Sequence, residues 1–546
     1  MDATTRFNTE RVGALPVIGA YLEKLGLGAI VDEFVPWEGG VPLGTLVEVM
    51  VCNRLLNPKA QYKIGEWAAK SRICEYYGAS QEELNDDRLG RALERVAKHA
   101  LTIQSQLVLH MVKTFKLDVG KIHYDISNVE LYGAYERQLN TNGEAEAGPT
   151  PEYGRTKSGR KNVKQVQFGI NVARDGAVPL DLLPFDGSQA EVKTHLANLN
   201  RLRTILPTSS RVYTADTKFD SPENLLLNKL HGGKFLCAGV FQPHLKEEYL
   251  QIKDQLKLVD YCPKSKQHLP LDEQPKYKAH EQWQTLEGEV DGRQVRLRYR
   301  LVFVWSEAKA KEEAKTRNRH LQKVREEFEK IDKNLNKYSL KTRAKIVERL
   351  ESAKGKYAVG HVIRYELSCR KGQFKLQWHI DETALAREQE LEGAYLIKTD
   401  IAKGEFPTAK VLEEYKEQIH VERRIGDMKG PLAIAPMFIE KPQRIAGLMQ
   451  ILLWALMVLS LMERDVRRSL KGKPMYGIYP ENRPCHAPTG RGILECFEEL
   501  SIVVVKHKGE TWRRLAELTP VQRQLLKRMG IPPDSLSVFK RKCYGA

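Results

Sequence analysis

The most apolar stretch of the chain, residues 445–462, has to be buried either in a lipid bilayer or in a protein core. It reads IAGLMQILLWALMVLSLM, and its 18 residues include Gln450. Eighteen residues is the lower limit for a membrane-spanning helix, and the chain has no second stretch of this kind. The stretch therefore predicts a buried helix in the core of a large domain, and we expect no membrane span.

The charge balance predicts a polyanionic partner. Lys and Arg number 87 against 70 Asp and Glu, which gives a net charge of +17. Nucleic acid is the first class of partner that this balance favours, and an anionic membrane surface is the second. The eight cysteines form no CxxC pair, which predicts reduced thiols rather than disulfides or a zinc site. With a polar start at residues 1–10, the expected location is the cytoplasm.

Residues 1–115 predict a helical domain. Apolar residues recur at helical spacing, and Asn85 can cap a long helix that follows it. This region has 13 Lys and Arg against 14 Asp and Glu, so it is not basic as a whole. It could bind DNA through one face or serve as a dimerisation module, and the sequence does not choose between them.

Residues 119–240 predict an α/β domain with a mixed sheet. A first strand ends near Asp125, and residues 164–173 and 178–185 form a hairpin through an Asp-Gly turn. A helix at 191–205, a short strand ending at Asp216 and a helix opening at Ser221-Pro222 follow.

The loop at residues 153–164 is basic, and it reads YGRTKSGRKNVK. It lacks the Lys-Ser/Thr of a nucleotide-binding P-loop. It is either a flexible solvated loop or a contact to the nucleic-acid backbone, and the overall charge favours the backbone contact. The cations assigned to this contact are Arg155, Lys157, Arg160 and Lys161.

Residues 241–400 predict an insertion that is part strand and part helical arm. The alternation at 295–305 indicates a strand with one apolar face. Apolar residues then recur every three or four positions from Leu321 to Tyr338, as in a helix seam. Since the pattern breaks at Ser339 and resumes, we predict a helical hairpin over 307–352 that lies outside the large sheet.

Residues 415–431, YKEQIHVERRIGDMKGP, predict one helix that Gly430-Pro431 stops. On such a helix Tyr415, Gln418, Glu422 and Lys429 share one stripe within about 60°. A carboxylate with a nearby cation suits a metal ion next to a phosphate. The alternative is a solvated helix face.

Three carboxylates complete the candidate site: Asp125, Asp216 and Glu422. Neighbouring strands of a mixed sheet can bring the two aspartates together, and a helix packed on the sheet can add the glutamate. Three neighbouring carboxylates repel one another unless a cation lies between them, and their oxygen atoms are suitable ligands for two Mg²⁺ or Mn²⁺ ions. Two ions of this kind favour in-line displacement at phosphorus, with Lys429 and Arg423 holding the phosphate. Each acid could instead cap a turn or pair with a nearby base.

These residues resemble the bacterial insertion-sequence transposases of the DDE class, in the branch with a long insertion before the catalytic Glu. The family spacing of Tyr, two residues, Arg, three residues, Glu, six residues, Lys is similar to Tyr415, Gln418, Glu422 and Lys429, with glutamine replacing arginine. YDIS at Asp125, ADTKFDSPEN at Asp216 and GAYLIKTD at residues 393–400 also resemble family segments.

The resemblance implies an RNase H-like mixed-sheet core that cuts and joins the DNA ends of a mobile element with two divalent metal ions. Asp125, Asp216 and Glu422 would be the catalytic metal ligands, and Tyr415, Gln418 and Lys429 would hold DNA. Its double-stranded DNA partners would be element ends and target, and the protein would be a dimer or higher multimer. The core would occupy 119–240 and 401–465, interrupted by 241–400, between a helical domain at 1–115 and a basic segment at 466–546. A nuclease of the same fold without strand transfer and an inactive DNA-binding relic remain alternatives.

Overall fold

The structure is a computed structural model of the chain. It describes residues 6–133, 135, 148–154, 159–160, 162–206, 211–435, 437, 439–507 and 510–537. The chain forms two compact units. The first comprises Met1–Phe235, Gly288–Val295 and Glu417–Ala546, and the second comprises Leu236–Glu287 and Arg296–Lys416.

The N-terminal region is helical, as predicted, and is preceded by a short strand that the sequence did not reveal. The longest helix begins after Asn85, whose side chain accepts a hydrogen bond from the Arg88 amide at 2.9 Å, as expected of an N-cap. The elements are β1 (Arg6–Arg11), α1 (Leu15–Leu25), α2 (Leu27–Phe34), α3 (Leu43–Leu56), α4 (Ile64–Lys70), α5 (Ile73–Tyr77) and α6 (Asp86–Phe115).

A mixed α/β segment follows in the first unit. β2 pairs antiparallel with β4 on one side and parallel with β6 on the other, while β3 and β5 pair along the far edge of β4. The predicted hairpin, helix and short strand are confirmed. The elements are β2 (Lys121–Leu131), β3 (Glu152–Tyr153), β4 (Lys164–Ala173), β5 (Pro179–Phe185), α7 (Glu191–Ile205), β6 (Val212–Ala215) and α8 (Pro222–Leu230).

The prediction that the first strand ends near Asp125 is wrong. β2 continues to Leu131, because β4 pairs with it along its whole length, out to Leu131 opposite Lys164. Ile126 and Val129 are buried in this continuation. Asp125 is therefore a mid-strand residue, and what stops near it is the parallel pairing with β6.

Residues 236–287 and 296–416 make up the second unit. Its sheet has the strand order β7-β13-β10-β9-β8, and β11 and β12 form a separate hairpin. The elements are β7 (Lys234–Gly239), α9 (Pro243–Ile252), β8 (Lys257–Leu258), β9 (Tyr277–Val290), β10 (Arg293–Ser306), α10 (Glu307–Lys333), α11 (Arg343–Gly355), β11 (Ile363–Arg370), β12 (Gln373–Ile380), α12 (Glu382–Leu391), β13 (Ala394–Thr399) and α13 (Thr408–Lys416).

The predicted helical hairpin is confirmed as α10 and α11, with its own core. Val324 and Phe328 of the seam pack with Leu367 and Leu376 of the β11–β12 hairpin. Among the described residues, this core therefore contains none from the mixed sheet that includes β2, β4 and β6 or from the strands β7, β13, β10, β9 and β8. Tyr338 was predicted to belong to the seam, and this is wrong. Because α10 ends at Lys333, Tyr338 lies in the connecting loop, where it is 82% exposed.

The predicted helix over residues 415–431 is two helices. α13 ends at Lys416 and α14 (Ile419–Lys429) begins three residues later, with Gln418 as its N-cap. At the break the His420 and Val421 amides bond the carbonyls of Glu417 and Gln418, three residues back, which tightens the turn. The predicted stripe therefore survives from Gln418 to Lys429, whereas Tyr415 belongs to the other helix.

The remaining elements complete the first unit. They are α15 (Pro442–Leu470), α16 (Gly490–Glu495), β14 (Ser501–His507), β15 (Glu510–Leu515) and α17 (Pro520–Met529). Within the described residues α15 is the one helix long and apolar enough to cross a membrane, and its apolar window is completely buried. This confirms the predicted core helix. β14 pairs with β1 and β15 in a three-stranded sheet that the sequence did not predict.

Candidate functional site

The parallel pair β2 and β6 brings two of the predicted acids to equivalent positions. The register aligns Lys121 with Val212 and His123 with Thr214. Two residues further on, the same register puts Asp125 level with Asp216, whose backbone is still extended at φ −77° and ψ −172°. Paired strands lie about 4.8 Å apart, so the backbones of the two aspartates come close together at this end of the strand pair.

α14 packs against the same strand through the side chain of Gln418. Its amide nitrogen donates to the carbonyl of Tyr124 at 2.9 Å, and its oxygen lies 3.1 Å from Nδ1 of His123. Because the amide oxygen can only accept, Nδ1 of His123 carries the proton. His123 lies two residues before Asp125, hence on the same face of β2. Glu422 follows Gln418 by one helical turn.

The three acids differ in exposure but all reach solvent. Asp125 is half-buried, the Asp216 side chain is 47% exposed, and Glu422 is exposed. Asp125 Oδ1 accepts from the Ile126 amide at 2.8 Å, and Asp216 Oδ1 accepts from the Lys218 amide at 3.0 Å. Each carboxylate has about four acceptor sites.

A cluster of buried rings lies next to the two aspartates. The rings of Tyr124 and Tyr213 stack at 5.9 Å, and His195 of α7 lies beside both of them. His195 Nδ1 is 3.1 Å from the Tyr213 hydroxyl, and its Nε2 is 3.9 Å from Asp216 Oδ1. His195 was not among the residues predicted from the sequence, because an isolated histidine in an amphipathic helix carries no signal of its own.

Burial sets the ionisation of this cluster. Burial lowers the pKa of His195 to about 3, so the ring is neutral at physiological pH. Burial also raises the pKa of Tyr124, and the negative charges of Asp125, Asp181 and Asp216 raise it further. The His195 ring next to Asp216 is therefore uncharged, while a buried cation, Arg211, lies beside Tyr213.

Buried ion pairs hold α14 in place. Glu463 of α15 accepts hydrogen bonds from Arg424 at 2.7 Å and from Arg423 at 3.0 Å. The Arg424 guanidinium also donates to the carbonyls of Gly176 and Ala177 in the β4–β5 turn. Arg423 was predicted to hold DNA, and in this structure its guanidinium is engaged by Glu463. Both arginines thereby fix the helix that carries Glu422.

The other predicted DNA-binding residues are dispersed. Arg160 is 61% exposed and donates to the Tyr132 hydroxyl at 2.5 Å. Lys429 is exposed at the end of α14. The Tyr415 ring stacks on Tyr395 at 6.2 Å, with both residues in the second unit. Arg155, Lys157 and Lys161 lie outside the described residues.

The donor set has the chemistry that a hard divalent cation requires. Carboxylate oxygens are preferred ligands of Mg²⁺ and Mn²⁺, and Asp125, Asp216 and Glu422 supply them. Among the residues that the structure describes, no group of three or more His, Cys, Asp or Glu side chains is close enough to hold a metal ion. The structure thus gives the donor types and a strand register that puts the two aspartates level with each other, but it shows no closed three-carboxylate site within the described residues.

A second basic feature lies in the N-terminal helical region. A cavity of about 1060 Å³ in the first unit is lined on one side by cations of α6 and elsewhere by Trp37, Arg201 and Gln450. Arg91, Arg95 and Lys98 share one stripe of α6 and are exposed. Within the described ranges no carboxylate pairs with these three.

Comparison with known proteins covers only the N-terminal part. Residues 7–108 match a family model described as a domain of unknown function, DUF4277. The match spans β1 and most of the helical region, and it ends within α6. A search of curated proteins finds no match to the chain.

Proposed function

We propose that this protein is a DNA transposase of the DDE class that cuts and joins the ends of a mobile element. Asp125, Asp216 and Glu422 would be its catalytic carboxylates. The observation that supports the proposal best is the parallel pairing of β2 with β6, because its register, extended by two residues from His123 and Thr214, puts Asp125 level with Asp216. The proposed core is RNase H-like, and the mixed sheet with β2 between antiparallel β4 and parallel β6 is compatible with it.

The contacts of α14 add independent support. The amide of Gln418 bonds to the backbone of the strand that carries Asp125, so the helix with Glu422 packs on that strand. A DDE transposase requires its third acid from a helix in this arrangement. Glutamine at position 418 offers a neutral amide where the family has a cation, so in our proposal it orients α14 rather than holding phosphate.

In the proposed reaction the three carboxylates would bind two Mg²⁺ ions, which supply Lewis acidity and a nucleophile activated at neutral pH. Three carboxylates repel one another, so we expect Glu422 to approach the aspartates only when metal and DNA are bound. Lys429 would contact the phosphate from the end of α14. The neutral His195 would keep the Asp216 carboxylate available for metal.

The first test is cleavage of supercoiled plasmid DNA in Mg²⁺ or Mn²⁺. Asp216→Asn should lower the nicking rate by about three orders of magnitude, because a metal-stabilised transition state is worth several kcal/mol. Asp220→Asn is the matched control, since this carboxylate is four residues away and should leave the rate unchanged. Equal rates for both variants would contradict the assignment.

Joining separates the proposal from a nuclease of the same fold. A labelled duplex with a free 3′-hydroxyl should become covalently attached to plasmid DNA in the wild type and not in Glu422→Gln. Cleavage without attachment would favour the nuclease. Binding without either reaction would favour the inactive relic.

A further inference from the structure

The loop between α10 and α11 and the turn between β11 and β12 form one joined tip in the second unit. Asn336 of the loop donates from Nδ2 to the carbonyl of Phe374 at 2.9 Å, and its Oδ1 accepts from the Phe374 amide at 2.8 Å. Phe374 is the second residue of β12, next to the β11–β12 turn. Two segments distant in sequence therefore present their side chains together.

The tip is strongly basic. Residues 330–345 contain six Lys or Arg and only one acid, Asp332, and residues 370–375 add three more cations and no acid. All nine of these cations are exposed and none of them has an ion pair within the described part of the chain: Lys330, Lys333, Lys337, Lys341, Arg343, Lys345, Arg370, Lys371 and Lys375. Unpaired like charges at close range repel one another, so this arrangement favours an anionic partner.

An exposed tyrosine lies among these cations. Tyr338 is 82% exposed, although the apolar periodicity of α10 would continue through it. Asn336 and Tyr338 both have positive φ angles, 63° and 48°, which L residues rarely adopt. This backbone is held by the Asn336 bonds to Phe374 and by the bond from the Asn336 amide to the Leu340 carbonyl.

We infer that this tip binds the sugar-phosphate backbone of duplex DNA. Duplex DNA presents regularly spaced phosphates that several lysines can neutralise without sequence readout. A tyrosine adds a hydroxyl that can donate to phosphate and a flat ring that can pack on deoxyribose. The packed core of α10, α11, β11 and β12 gives the tip a rigid support. The surface is distinct from the carboxylate site and does not depend on its chemistry.

The test measures binding of a 30-base-pair duplex of arbitrary sequence to the full-length chain, without divalent metal, over a series of salt concentrations. In Lys337→Ala/Lys341→Ala/Lys371→Ala, the Kd should rise about 10- to 100-fold, and the slope of log K against log salt should fall by about 2.7. Tyr338→Ala alone should weaken binding about three- to tenfold.

The matched control is Lys266→Ala/Lys315→Ala/Lys323→Ala, which removes three exposed, unpaired lysines from the same unit. It should leave the salt slope nearly unchanged. A Lys→Arg triple at the tip keeps the charge and should bind like the wild type, which guards against a folding defect.

An equal loss of DNA affinity in the tip and control triple variants would overturn the inference. So would a tip triple variant that binds DNA as tightly as the wild type. A tip triple that alters sedimentation but not DNA binding would identify the tip as a protein contact instead. Because metal is absent, the result is separate from that of the cleavage assay. Loss of cleavage in Asp216→Asn with unchanged binding by the tip triple would support the proposed function while refuting this inference.

Discussion

At the scale of single residues, Gln418 is the side chain that ties the candidate site together. It replaces the arginine of the resembled family and makes two hydrogen bonds to β2, one from each end of its amide. An amide serves both because it has a donor and an acceptor. Glutamine at this position therefore has one partner for its amide nitrogen and one for its amide oxygen.

This geometry predicts the effect of Gln418→Glu. A carboxylate at neutral pH cannot donate to the Tyr124 carbonyl, and two acceptors would face each other. We expect the free energy of unfolding to fall by about 1–3 kcal/mol, measured by urea denaturation at pH 7. Gln389→Glu, an exposed glutamine in α12, is the control and should change stability by less than about 0.5 kcal/mol. Equal stabilities of the wild type and Gln418→Glu would show that the two hydrogen bonds of Gln418 contribute little.

At the scale of elements, the core is organised by α15 and its close packing on α6. A Cβ added at Gly447 would lie 2.2 Å from the carbonyl oxygen of Leu93. This approach is possible only for glycine, because any larger side chain would push the two helix backbones apart. The packing of these two helices therefore depends on a residue that in isolation weakens a helix.

Gly447→Ala should consequently destabilise the protein by about 1–3 kcal/mol through overpacking. The matched control is Gly426→Ala in α14, where nothing lies within 4 Å of the added Cβ. There the helix propensity of alanine should instead stabilise by about 0.5–1 kcal/mol. Thermal unfolding of both variants should show a lower melting temperature for Gly447→Ala and a higher one for Gly426→Ala. Stabilisation by both would refute the close α6–α15 contact.

The buried ion cluster that joins α14 to α15 predicts acid sensitivity. Burial alone would raise the pKa of Glu463, but Arg424, Arg467 and Arg423 outweigh it and hold the pKa below the ordinary value. A depressed carboxyl pKa contributes stability that is present above the unfolded-state pKa of about 4.3 and is lost as pH falls through the folded-state pKa. Stability should therefore decline as the pH falls below about 4.3.

Glu463→Gln should remove this part of the acid dependence and cost about 3–5 kcal/mol at pH 7, because it leaves buried arginines without a counter-charge. Urea denaturation between pH 3 and pH 7 measures both effects. Glu499→Gln, at an exposed ion pair with Arg11, should cost at most about 1 kcal/mol. A wild-type curve as flat as that of Glu463→Gln would contradict the assignment.

At the scale of the whole molecule, the net charge of +17 is distributed over both units. The stripe of Arg91, Arg95 and Lys98 belongs to the first unit, and the basic tip belongs to the second. Each cation that neutralises a phosphate adds about 0.9 to the salt slope of DNA binding. Two separate basic surfaces should then contribute independently.

Combining Arg91→Ala/Arg95→Ala/Lys98→Ala with the tip triple should lower the salt slope by the sum of the two separate effects, about 5 in total. The probe is a long duplex of arbitrary sequence, and the readout is Kd against salt concentration for the four proteins of the cycle. A combined effect no larger than that of one triple would mean that only one surface contacts the DNA.

Much of the local structure follows from the sequence, because its causes are local. The β4–β5 hairpin is set by alternation and an Asp-Gly turn, α8 by Ser221-Pro222, and the burial of α15 by its 18-residue apolar stretch. The order of the three acids and their spacing to Lys429 are also readable from the sequence. These features give the mixed α/β class and the candidate carboxylates.

Only the tertiary structure decided the rest, because its causes are contacts between residues far apart in sequence. β2 continues past Asp125 since β4 pairs with it, and α14 starts anew where the Gln418 side chain bonds to β2. β1 and β14 are some 490 positions apart and find each other only in the fold. Asp125 and Asp216 lie level with each other because of the register of β2 against β6. Neither segment encodes this register by itself.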